Sequence, residues 1–379
     1  MNKTCLLFAG DFCSKASTRS ITVSEELKVL IQSCNLSVVN FEVPLKPENT
    51  NIPWQRQERF YQHDDAPNFL RSIGFNLFSI ATNHTFDWGY EGYKKTKQAF
   101  GEAAFGAGTY DEAYQVKIVD INGIKIGFMA VCYAAYTGVF DDCYNHEGLG
   151  CAYINDQKVN HVIVDAKKQV DYLFVLPHDG IEYIDIPLPE IIARYRDFID
   201  WGADAVIGTH PHCPQGWESY KGKPIYYSLG NFLFNSKEGY DYRAWNRPHW
   251  YEGLCVVITI DNGKLDYKTI NTQNEGNLAI SIDYRKEREL HNNNLCAYLQ
   301  DKEQYDLLLN KELKRLAREH EIPIIDKTFH EYNLKSIYKQ LFKYTIKRIL
   351  RKPLPDDASL HNLLRNDSRR SVLLRAIRR

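Results

Sequence analysis

The chain opens with short apolar runs separated by longer amphipathic ones, and this pattern predicts its elements. Cys5–Ala9, Leu36–Phe41, Phe75–Ala81, Tyr172–Pro177 and Ala205–Gly208 are apolar runs of strand length. Between them, Val23–Ser33, Ala66–Ile73, Tyr90–Phe100, Gln157–Val170 and Leu188–Trp201 carry apolar residues at helical spacing. Ser24, followed by Glu25 and Glu26, predicts a capped helix start. Gln115–Ile121 and Ile124–Cys132 flank Asn122-Gly123, a two-residue hairpin signal. Further on, Pro224–Leu229, Gly253–Ile260 and Leu265–Ile270 read as strands, the last two joined at residues 261–264. Residues 44–64 read as a long loop, and 134–155 lack periodicity. Strands alternating with helices predict an α/β fold assembled from βαβ units.

Five of these strands share a feature that no single one makes notable. Each leads at its carboxyl end into a residue able to bind metal: Asp11, Glu42, Asn83 with His84, His178, and His210 with His212. In open α/β sheets ligands bind outside the carboxyl ends of the strands, so one site is expected to gather them. A capping carboxylate or a loop histidine explains any one of the five, but poorly explains all of them together. His210 and His212 flank Pro211, and in extended backbone residues i and i+2 point the same way. Neutral imidazole is a ligand for zinc, iron, copper and nickel, so the pair is read as facing one site. The competing reading is two histidines at a strand end.

With 379 residues the chain can form one large α/β domain with an appendage, or two domains. A formal net charge of −1 argues against a nucleic-acid partner. That total hides an asymmetry, because residues 331–379 hold 13 Lys/Arg against 4 Asp/Glu, a local charge of +9. Nine cysteines, an odd number without CxxC spacing, suit neither a disulfide framework nor a zinc knuckle and point to a reducing compartment. The N-terminal apolar run is too short for a signal h-region, and no run reaches membrane-spanning length, so a cytoplasmic location is expected. The divisions expected are 1–272 as the main domain, 273–333 as a polar, largely helical extension, and 334–379 as a basic tail. In that tail Leu334, Ile337, Tyr338, Leu341, Phe342 and Ile346 recur at helical spacing, beside Lys335, Lys339, Lys343, Lys347 and Arg351 on an adjoining face. A basic amphipathic helix of this kind serves a membrane surface, docks a partner, or packs on its own core.

Taken together, Gly10-Asp11, Asn40-Phe-Glu42, Ala81-Thr-Asn-His84 with Asp87-x-Gly89, His178 with Glu182-Tyr183, Gly208-Thr-His-Pro-His212 and Tyr227-Ser-Leu-Gly-Asn-Phe232 form a recognisable series. It resembles the capsule-synthesis CapA family of the poly-γ-glutamate type, which is similar to calcineurin-like metallophosphoesterases. The resemblance spans about residues 4–235. It implies a four-layer αββα sandwich, here with a helical, basic C-terminal appendage, and a centre of two divalent metal ions (Mn, Fe or Zn). Carried over by position, Glu42 stands where a bridging carboxylate sits, Asp11 and His212 hold one metal, and Asn83, His178 and His210 hold the other. His84 takes the place of a proton donor oriented by Asp87, and Gln215 and Asn231 match positions that line the site or hold its loops. Two such cations activate a water and stabilise a phosphoryl transfer.

The chain departs from the phosphoesterase pattern at Cys13, which stands where a ligand histidine is usual, and at Asn40-Phe-Glu42, which replaces paired aspartates. Cys13 leaves three options: a weak site, a softer metal on a thiolate, or an empty site. Asp179 replaces an aromatic residue and reads as a further ligand or a solvated turn residue. Two functions remain in view. One is a metal-dependent hydrolase or transferase on a phosphorylated or polymer-precursor substrate in capsule, poly-γ-glutamate or exopolysaccharide synthesis. The other is a non-catalytic accessory protein of a polymer synthase, which would be the partner of residues 334–379 if the membrane is not.

Overall fold

Two β-sheets meet face to face around β1 (Thr4–Ser14), a strand of 11 residues that is buried almost throughout. The computed structural model describes residues 3–50, 60–134, 138–140, 148–235, 247–276 and 278–319. The chain divides into two compact units, Met1–Tyr305 and Asp306–Arg379. The apolar run ends at Ala9, yet β1 continues through Asp11 to Ser14, because a second strand takes over its pairing there.

After β2 (Thr22–Val23), Ser24 caps α1 (Glu25–Ser33), its hydroxyl accepting the Leu27 amide. β3 (Leu36–Phe41), α2 (Ala66–Ser72), β4 (Leu77–Ser79) and α3 (Gly89–Phe100) keep the expected alternation, with β4 shorter than its apolar run. The short β5 (Ala104–Phe105), β6 (Ala107–Thr109) and α4 (Tyr110–Tyr114) escape the hydrophobic pattern, being too brief to show a period. β7 (Lys117–Ile121) and β8 (Ile124–Cys132) form the expected hairpin, with Asn122 and Gly123 both at positive φ. β9 (Leu149–Cys151), α5 (Gln157–Lys167), β10 (Tyr172–His178), α6 (Pro189–Asp200) and β11 (Ala205–Ile207) follow.

The stretch read as one strand, Pro224–Leu229, is strand only as far as Tyr226. β12 (Trp217–Tyr220) and β13 (Lys223–Tyr226) close one sheet, and after Gly230, at φ 66°, β14 (Asn231–Asn235) joins the other. β15 (Glu252–Asp261) and β16 (Lys264–Glu275) form a long hairpin, and residue 272, the expected boundary, falls inside β16. β17 (Ala279–Ile282) pairs with β16 and β2, where a helical extension was expected. Helices α7 (Lys286–Tyr298) and α8 (Lys302–Glu319) end the described chain. The basic tail 334–379 lies outside the described residues. Among the described residues no helix is long and apolar enough to cross a membrane.

Among the described residues, the first sheet runs β2-β17-β16-β15-β1-β3-β4-β5, with β14 also paired to β1, and the second runs β12-β13-β11-β10-β8-β7. β1 pairs antiparallel with β15 over Thr4–Ala9 and parallel with β14 from Asp11 to Ser14. Phe8 of β1 packs on Phe128 of β8 and Phe174 of β10, ring centroids 6.2 and 5.4 Å away, which joins the two inner layers. A register shift at Asp11 reverses the alternation of side chains, so Phe12 packs instead on Phe69 of α2. Phe100 of α3 covers Phe41 and Phe78, while α5 and α6 lie on β10 and β11. The result is the four-layer αββα sandwich, and it brings the carboxyl ends of β3, β4, β10 and β11 to one edge.

The crossing of β1 and the 227–230 segment leaves no room for a side chain at Gly10. A Cβ there would stand 1.9 Å from the Gly230 carbonyl oxygen, which accepts the Asp11 amide at 2.9 Å. Gly10→Ala is therefore expected to destabilise the fold by about 1–3 kcal/mol or more, measured as a lower urea midpoint. An unchanged midpoint would show that the two backbones do not approach this closely.

Candidate metal centre

Glu42 follows β3 directly and is fully buried, yet neither carboxylate oxygen has a hydrogen-bond partner. Burial first, and the neighbouring Asp11 carboxylate second, push its carboxyl well above the usual range. Two groups of ligand atoms share it, each with all members within 4.8 Å of one another: Glu42 with His178 and His210, and Glu42 with Asp11 and His212. The Nε2 atoms of His178 and His212 lie 3.7 and 3.6 Å from Glu42 Oε1. Asn83 Oδ1 lies 2.9 Å from His178 Nε2. All six residues expected as ligands therefore meet in one buried place.

The surrounding side chains fix which atom His212 presents and hold the His178 ring in place. Asn231 accepts from His212 Nδ1 at 3.0 Å, and its own amide nitrogen donates to the carbonyls of His212 and Trp250. Those two carbonyls leave the Asn231 oxygen as the acceptor, so His212 carries its proton on Nδ1 and turns the Nε2 lone pair toward Glu42. Phe234 and Trp250 pack on the His212 ring, with centroids 4.4 and 5.0 Å away. His178 Nδ1 lies 3.1 Å from the Thr209 hydroxyl and 3.2 Å from the Asn40 amide nitrogen, which hold the ring with Nε2 toward Asn83 and Glu42. Asn40 donates to Asp11 Oδ1 at 2.7 Å, and the His210 amide donates to Asp11 Oδ2 at 2.9 Å.

His210 and His212 reach the site by a route that differs from extended i, i+2 geometry. Both have positive φ, 103° and 57°, so the segment is a turn, and each imidazole joins a different ligand group. Positive φ is costly for a residue with a Cβ and persists where the surroundings enforce it. Neither nitrogen of His210 has a hydrogen bond, and its ring rests 4.5 Å from that of Tyr133. Burial, aided by the neighbouring His212 and His84, lowers the His210 imidazole to about 3 against the opposing pull of Glu182, which keeps it neutral at physiological pH.

His84 lies beside this cluster, its Nδ1 donating to the buried Asp87 Oδ2 at 2.9 Å. Asp87 also accepts the Phe60 amide, and the Phe60 ring meets His84 edge-on. The Gln215 amide donates to the Ile184 carbonyl at 2.9 Å. Cys13 belongs to none of the ligand groups found among the described residues; it packs with Val43, Phe234, Trp250 and Tyr251, and burial raises its thiol well above the ordinary range. Asp179 accepts the Gly180 amide. Sequence reasoning assigned no role to Asn40, Thr209, Tyr133 or Trp250. Asn40 stood within a quoted motif, but nothing in the sequence marks Trp250, which lies 38 positions beyond His212 and meets it only through the fold.

An orphaned buried carboxylate, neutral imidazoles and an amide oxygen are a donor set suited to divalent transition metals. Fold and site together define a four-layer α/β sandwich with buried metal-type ligands at the carboxyl ends of its strands. The family of bacterial capsule synthesis protein PGA_cap matches residues 6–236, and the chain belongs to it. It is 29% identical over 246 residues to the capsule biosynthesis protein CapA of Bacillus anthracis, covering 62% of this chain and 57% of that protein. It is 28% identical to the PGA biosynthesis protein CapA of Bacillus subtilis, over 60% of this chain and 62% of that one. The match thus spans less than two thirds of either relative. Among solved structures it is similar to a phosphatase from Mycoplasma pneumoniae, with 14% identity and a TM-score of 0.42 over 73% of this chain and 97% of that one.

The unpaired Glu42 carboxylate sets a pH dependence in metal-free protein. Its folded carboxyl is held above the ordinary value of 4.5, so its contribution to stability is complete below that pH and is lost as pH rises. Glu42→Gln in chelator-treated protein is expected to be the more stable form at pH 8 by about 1–3 kcal/mol, with the gap shrinking toward pH 5. Urea titrations at the two pH values measure it; parallel curves would show that Glu42 is not the strained group.

Proposed function

We propose that the chain is a metal-dependent hydrolase or transferase acting on a phosphate ester, or a related polymer intermediate, in capsule, poly-γ-glutamate or exopolysaccharide synthesis. The observation that carries this reading is Glu42, buried, unpaired and shared by two ligand groups. Asp11 and His212 would hold one divalent cation, and Asn83, His178 and His210 the other, with Glu42 between them. When bound, such cations supply Lewis acidity and neutralise charge on a phosphoryl group. Mn²⁺, Fe²⁺ and Zn²⁺ all suit these ligands.

The chain's own residues divide the remaining work. His84 is the proton donor to the leaving oxygen, its ring oriented by Asp87 through Nδ1. The Asp87 carboxylate stabilises the imidazolium form that donation requires. Asn231 and Asn40 are positioning residues, the first fixing the His212 tautomer and the second orienting Asp11. Gln215 ties the 181–188 loop in place through the Ile184 carbonyl.

A second reading, a non-catalytic accessory protein that keeps the fold, draws on Cys13. Its side chain is packed among apolar neighbours where phosphoesterases place a ligand, which leaves the Asp11 group with fewer donors.

Elemental analysis of protein purified without chelator under reducing conditions, beside turnover of phosphomonoesters and phosphodiesters, separates the two. His84→Ala is expected to lower kcat by about 10²–10⁴-fold with metal content unchanged. His210→Ala is expected to lower metal content itself. Absence of divalent metal from the wild-type protein would overturn the enzymatic reading.

A further inference from the structure

A second set of metal-type ligands lies outside the Glu42 cluster. Asp185 comes from the loop after β10, His249 from the turn before β15, and His291 from α7; their ligand atoms all lie within 4.8 Å of one another. His249 Nε2 and His291 Nε2 face the same oxygen, Asp185 Oδ2, at 3.9 and 3.4 Å. The two rings stack at 4.4 Å and 12°. His291 Nε2 is buried and makes no hydrogen bond.

The hydrogen bonds around His249 orient its ring toward Asp185. His249 Nδ1 lies 2.6 Å from Glu252 Oε2. Glu252 is held as an acceptor by the buried Arg288, whose Nη1 donates to the same oxygen at 2.7 Å. His249 therefore carries a proton on Nδ1, and in its neutral form the Nε2 lone pair points at the Asp185 carboxylate. Two electron-rich atoms face each other there, and protonating both stacked rings would set two cations 4.4 Å apart. A carboxylate that grips the far nitrogen of an imidazole is the support that metal-binding histidines usually have. Ligands about 2.0–2.2 Å from a tetrahedral zinc stand roughly 3.3–3.6 Å apart, close to the two distances from Asp185, and the stacked rings would turn to converge their Nε2 atoms on one ion.

We propose that Asp185, His249 and His291 form a further divalent-metal site of the zinc type, with a fourth position open to water. Their side chains are 24%, 28% and 28% exposed, so an ion can enter from solvent. The site braces the larger cluster. Asp185 is two residues from Tyr183, and His249 precedes Trp250; both of those rings lie on His212, 6.0 and 5.0 Å away. An ion here ties together the two segments that enclose that imidazole. The proposal is independent of the hydrolase reading.

The test is a Zn²⁺ titration of the full, reduced, metal-stripped chain against a chromophoric chelator, with far-UV circular dichroism to check folding. His249→Ala/His291→Ala is expected to bind one equivalent fewer than wild type, and Asp185→Asn to hold that equivalent at least about tenfold more weakly. A His178→Ala/His210→Ala protein is expected to keep it. If the first double variant misfolds, His291→Gln alone, at a partly exposed helix position, reads the same loss. Equal Zn²⁺ stoichiometry and affinity in wild type and the folded His249 or His291 variants would overturn the proposal. Retention of this equivalent with nothing bound at the Glu42 cluster would leave it standing while removing the proposed hydrolase.

Discussion

A carboxylate without solvent and without a partner is among the least favourable groups a folded chain can contain, and this molecule places one where its two sheets meet. Glu42 sits against Asp11, a second buried carboxylate, with three imidazoles around the pair. Nothing in the apolar packing requires such an arrangement. Its cost is met by the layers on either side, whose buried strands hold the cluster too firmly for its members to turn away. Divalent cations are the ligands that relieve this strain best, since they neutralise both carboxylates and take up the imidazole lone pairs together.

The shell around the cluster is as specific as the cluster. Asn231 fixes the proton on His212, Asn40 and the His210 amide fix the Asp11 oxygens, and Asp87 fixes His84. Except for Asp87, which lies in the same turn as His84, each of these partners belongs to a segment other than that of the group it orients. β1 connects them, because its kink at Asp11 exchanges β15 for β14 as a neighbour and so brings Asn231 level with Asp11. The close approach at Gly10 and Gly230 is the backbone expression of the same requirement.

Aromatic rings crowd the His212 side of the cluster more than the other, where Tyr133 packs on His210. Tyr183, Phe234 and Trp250 surround His212, while His178 and Asn83 are framed by hydrogen-bonding groups. The two ligand groups thus differ in surroundings as well as in donors. The packing of Cys13 into the same aromatic cluster deepens that difference, since it adds a further apolar neighbour there.

The sequence by itself determined the elements long enough to show a period: β3, β10, the β7–β8 hairpin and the helices α1, α3, α5 and α6. It also determined the inventory of the cluster, because a strand of an α/β sheet delivers its next residue to the sheet edge whatever the rest of the chain does. Family-like motifs ordered that inventory. Short strands such as β5, β6 and β9 left no signal, since two or three residues cannot establish an alternation. The end of β13 at Tyr226, inside the apolar run Pro224–Leu229, was hidden as well, because the run stays apolar past it and only the crossing past Gly10 decides where the strand ends. Tertiary structure alone sorted the two neighbouring histidines into different ligand groups, through positive φ at both. It alone carried Trp250 onto His212, and His249 and His291 onto Asp185. Those contacts join residues tens of positions apart, and proximity of that kind is set by how sheets pack, which no local pattern of side chains encodes.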